Sequence, residues 1–83
     1  MTTQRLVHMA NQVAGFFGPY SEKEAVDGTF THLRSFWDPR MRREIEAHLA
    51  KTGGEGLTPI ALAAIKRLAE KDGAETDAAK KSA

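Results

Sequence analysis

Three breaks set what this chain can become. Its large apolar residues recur at steps of three and four, the period of a helix with one buried face. Gly18-Pro19, Asp38-Pro39 and Gly53-Gly54 cut that pattern into four runs. Leu6, Met9, Val13 and Phe16 or Phe17 share a face in the first run. Val26, Phe30, Leu33 and Trp37 form the stripe of the second, with Thr29 and Phe36 beside it. Met41, Ile45 and Leu49 carry the third; Leu62, Ile65, Leu68 and Ala69 carry the fourth, to about Lys71. No stretch alternates with the two-residue period of a strand. The fold class is therefore all-α, a small bundle of about four short helices.

The residues at the breaks support the same division. Ser21-Glu22-Lys23-Glu24 is a capping box, with Ser21 as N-cap and Glu24 three residues on. Proline suits the first position of a helix, where its missing N–H costs nothing. Asp38-Pro39 and Thr58-Pro59 thus read as cap and first residue of the third and fourth helices, and Leu57 can staple onto Leu62. Gly53 supplies the left-handed residue that closes the third helix. From Gly73 the chain holds no large apolar residue, which leaves it nothing to bury. The division is a helical domain over 1–72 and a polar, frayed tail over 73–83.

A chain of 83 residues is short of burial on its own. It hides only about 60 % of the surface that its unfolded form exposes. With no cysteine, neither disulfides nor thiolate zinc sites make up the deficit, and His8, His32 and His48 lack ligand-type spacing. A partner surface is the remaining source of stability, whether another protein or, for the isolated chain, a homo-oligomer. The net charge of +1 and pI of 8.1 argue against nucleic acid as that partner. No apolar run reaches the roughly 18 residues of a membrane span. Met1 to Arg5 is polar, unlike a secretory signal. The expected location is the cytoplasm.

Chemistry-bearing patterns are sparse. The segment His32 to Arg43 holds the only tryptophan and four arginines against one acid. A large rigid ring flanked by guanidinium groups suits a protein interface. Trp37, Arg34, Arg40 and Arg43, with the corner at Pro39, are the candidate partner-binding residues. The same pattern also fits a core tryptophan beside a solvated basic face. Glu44, Glu46 and His48 sit close on the third helix, but with the spacing of an ordinary exposed surface. Ser21 is engaged as a cap, and Ser35 and Ser82 have no evident histidine partner, so no nucleophile–base pair stands out. The loop Lys51-Thr-Gly-Gly-Glu-Gly-Leu57 lacks the lysine-then-hydroxyl ending of a phosphate-binding loop, and no strand precedes it. It reads as a C-cap and a flexible joint.

Three motifs in order carry a resemblance. Leu-Val-His-Met-Ala-Asn-Gln at 6–12 is followed by Phe16-Phe17, then Phe-Trp-Asp-Pro-Arg-Met-Arg at 36–42, then Gly-Gly-Glu-Gly-Leu-Thr-Pro at 53–59. Together they resemble the delta subunit of molybdenum-containing, NAD-dependent formate dehydrogenase, over residues 5 to about 70. That resemblance implies a partner, the catalytic alpha subunit, which holds a bis-molybdopterin guanine dinucleotide and iron–sulfur clusters and oxidises formate to carbon dioxide. Other subunits carry FMN, further clusters and the NAD site. It implies a delta chain with no cofactor of its own, not an enzyme, that supports assembly or stability of the complex. A chain without cysteine cannot supply the usual cluster thiolates, which agrees. The alternative is a small helical nucleic-acid-binding protein using the Arg/Trp segment 32–43 against phosphates.

Overall fold

The computed structural model describes the backbone of residues 2–82 and the side chains of residues 2–73. Four helices follow in order: α1 (Thr3–Phe16), α2 (Glu22–Phe36), α3 (Pro39–Thr52) and α4 (Pro59–Ser82). Among the described residues there is no strand. Each break acts as its residues dictate. Ser21 Oγ accepts the Glu24 N–H at 3.2 Å, and its own hydroxyl donates to Glu24 Oε1 at 2.9 Å. The glutamate of the box thus takes the cap hydroxyl. Asp38 Oδ1 accepts the Met41 N–H at 2.9 Å, with Pro39 in the first turn. Gly53 closes α3 with φ of 78°, and Thr58 Oγ1 receives the Ala61 N–H at the start of α4. The backbone of α4 runs helical to Ser82, beyond the Lys71 end that periodicity suggests. The expectation of a frayed tail falls on residues whose side chains lie outside the described ones.

Packing places α4 against all three other helices, most extensively against α2. α1 also touches every other helix, whereas consecutive α2 and α3 barely meet. The core is Leu6, Ala10 and Ala14 from α1, Phe30, Leu33 and Trp37 from α2 and its cap, Ile45 from α3, and Ala61, Ala64, Ile65 and Leu68 from α4. The inward face of α1 differs from the expected one. Met9 is half-buried and Phe16 is 75 % exposed, while the small residues Ala10 and Ala14 point to the centre. Small side chains at Ala10 and Ala14 of α1 and at Ala61 and Ala64 of α4 therefore line part of the core. Larger residues then close the sides. The one buried polar side chain described, Thr29, is satisfied within its own helix, its hydroxyl donating to Ala25 O at 2.7 Å. On the surface, Arg67 of α4 pairs with Asp27 and lies 4.5 Å from the centre of the Phe30 ring, tying α4 to α2.

Candidate functional site

The basic segment turns a corner at Asp38-Pro39, and the corner splits it. Trp37 turns inward and is only 5 % exposed, in the core with Leu33 and Ile45. Arg40, Arg43 and Pro39 are exposed at the start of α3, and Arg34 is half-buried on α2. Arg42 faces α4, its Nη1 3.4 Å from Asp72 Oδ1. Of the predicted partner-binding set, Arg40, Arg43 and Pro39 are therefore at the surface near the start of α3, and Trp37 is in the core.

Arg42 and Asp72 belong to a small polar seam between α3 and α4. Glu46, one turn beyond Arg42, has its Oε2 sealed from water. Burial, then the hydrogen bond and negative charge of Asp72, push its carboxyl up to about 8, against the pull of Arg42 and Arg43. The seam thus favours the neutral form of the Glu46 carboxyl. His48 goes elsewhere: its Nε2 meets Glu55 O at 2.7 Å. The Glu44–Glu46–His48 trio does not converge on one point. His32 and Ser35 line one hollow together, but among the described residues no hydrogen bond joins them.

The Gly-rich loop is pinned, where the sequence reading had a flexible joint. Asn11 Nδ2 donates to Gly56 O at 2.9 Å, and Asn11 Oδ1 accepts the Thr58 N–H at 2.9 Å. Thr52 Oγ1 accepts the Glu55 N–H at 3.0 Å, and Leu57 N–H closes a turn on Gly54 O at 3.0 Å. An asparagine amide, acceptor and donor side by side, suits a pair of backbone groups facing it. Through Asn11, the first and third sequence motifs meet in space.

Exposed large apolar side chains gather elsewhere, where α1 ends alongside α2. Phe16 and Phe36 are each 75 % exposed and Tyr20 is 54 % exposed. Phe16 stands edge-on to Phe17 at 5.4 Å between ring centres, Phe17 is 5.8 Å from Tyr20, and His32 lies 4.8 Å from Phe36. Phe17 lies flat on α2 because position 28 is glycine. A Cβ there would come within 2.5 Å of Phe17 Cε1. Two hollows of about 470 and 410 Å³ flank this ring, sharing Phe17 and His32 as walls. The sequence reading missed this face. The signal was present as two adjacent phenylalanines at a helix end, of which only one can turn inward, and as Phe36 lying off the stripe.

The chain has no cysteine, and among the described residues no three of His, Asp and Glu come together. Nor is any described helix long and apolar enough to cross a membrane. Fold and surface together define a small helical protein that displays an aromatic face. Residues 5–65 match the model of the NADH-dependent formate dehydrogenase delta subunit family, FdsD. The chain belongs to that family, and so to a formate dehydrogenase complex with partner subunits. No curated protein and no solved structure matches it.

Proposed function

We propose that this delta subunit is a non-catalytic accessory chain. It docks on the molybdenum-containing catalytic alpha subunit and supports assembly or stability of the active complex. The observation that carries this reading is where the three motifs of the resemblance are spent. Asn11 clamps a loop, Trp37 fills the core, Asp38, Pro39 and Thr58 start helices, and Gly53 ends one. They build a shape. A chain whose distinguishing residues build a shape acts by presenting a surface, and binding only the assembled state stabilises that state by mass action. On this reading molybdenum cofactor, iron–sulfur clusters and FMN belong to partner subunits, and the complex works in the cytoplasm. The nucleic-acid alternative uses Trp37 and the arginines of segment 32–43 against phosphates; Trp37 is buried and Arg42 is engaged by Asp72, which count against it.

Co-expression with the catalytic subunit tests the proposal. The wild-type chain is expected to co-purify and to raise formate-dependent NAD reduction, and to carry no stoichiometric molybdenum, iron or flavin alone. An Arg40→Glu, Arg43→Glu variant should keep its helicity, since exposed charges contribute little to folding. It should bind the complex more weakly if the basic corner meets carboxylates. A wild-type chain that neither co-purifies nor changes the activity sinks the proposal.

A further inference from the structure

We propose that the two-lobed groove between the end of α1 and α2 receives an uncharged apolar ridge, two side chains one turn apart on a helix of the catalytic subunit. The inference rests on the docking reading above and names the surface and the chemistry of its occupant. Phe16, Tyr20 and Phe36 stand at 75, 54 and 75 % exposure on a bundle whose centre is already filled. At about 150–250 Å² for each aromatic side chain, these three alone show roughly 400 Å² of apolar surface. That lies within the roughly 300–600 Å² of the largest apolar patch on a monomeric protein, a patch that is often functional.

Charge selects the kind of occupant. Among the groove's walls the one formal charge is Asp27, and Arg67 already pairs with it. Nothing in the lobes asks for a charged partner, and a charge buried there would lose its water without compensation. Shape selects the form. Two lobes separated by the Phe17–His32 saddle match neighbouring residues on one helical face, the i and i+3 or i+4 anchors of helix-in-groove recognition. Area argues against a second copy of this chain. Paired about a two-fold axis, the three rings would bury roughly 800 Å² in total, below the roughly 1,200 Å² at which stable interfaces begin. A larger partner covers the same rings and extends onto the rim.

The test uses the full chain and a formate dehydrogenase complex purified without its delta subunit. Phe16→Gln with Phe36→Gln removes the exposed rings; Thr31→Lys puts a charge in one lobe and removes no large apolar side chain. Expected are an unchanged melting curve for both, association about a hundredfold weaker for the double variant, and about tenfold weaker for Thr31→Lys. If the double variant melts early, Thr31→Lys decides alone. Undiminished association of both variants overturns the groove and leaves the docking proposal standing. A wild-type chain that fails to associate removes both. If light scattering shows a dimer that the double variant dissolves while complex formation persists, the face belongs to a second copy and the inference fails.

Discussion

The carboxyl of Glu46 lies where α3 meets α4, one oxygen sealed from water and Asp72 beside it. Its folded value is raised from an ordinary 4.5 to about 8. The sign follows from linkage: a raised acid favours folding while it is protonated, and unfolding releases that proton above its ordinary value. The contribution of Glu46 is therefore complete below pH 4.5 and disappears as the pH climbs through 8. Glu46→Gln keeps a neutral donor for Asp72 at every pH. Melting curves taken between about pH 5 and pH 9 should show the wild type losing stability relative to the variant as pH rises. Parallel curves would mean that Glu46 ionises normally. Asp72 is a distant residue on another helix, so no local pattern around Glu46 announces this pair.

Among the elements, the turn from α3 to α4 depends most on its glycines. Gly53 and Gly54 both hold positive φ, 78° and 92°. Their surroundings differ. A Cβ on Gly53 meets nothing within 4 Å, whereas on Gly54 it would overlap Leu62 Cδ1 and sit 3.2 Å from Leu57 Cδ1. Gly53→Ala should cost about 1 kcal/mol of backbone strain. Gly54→Ala should cost about 2–4 kcal/mol, because overpacking adds to strain. Urea denaturation of both gives the ranking, and equal losses would show that the leucine pair yields freely. The helix ends around this turn were legible in the sequence, because caps, prolines and C-terminal glycines act within a few residues. The inward face of α1 was not. Size-weighted periodicity favours Met9 and Val13, but Ala10 and Ala14 are the residues turned to the core, a choice made by packing between helices and not by local pattern. The candidate surface was half legible. Arg40 and Arg43 lie outside as exposed charge should, while the aromatic face depends on Gly28 admitting the Phe17 ring from the end of α1.

For the whole molecule, the Asn11 clamp joins points 45 and 47 residues apart. Helices and their neighbouring turns form early and cheaply, while contacts across long loops wait for the chain ends to meet. Asn11 can grip Gly56 and Thr58 only once α1 has settled beside the turn that precedes α4. Its bonds thus form after the barrier, and losing them should act on the return journey. In stopped-flow kinetics Asn11→Ala should leave the refolding rate within about twofold and raise the unfolding rate about tenfold or more. A slowed refolding limb with unchanged unfolding would put the clamp inside the folding nucleus. If the late clamp holds, the lifetime of the folded subunit, and with it the time available to find a complex before proteases do, hangs on one amide.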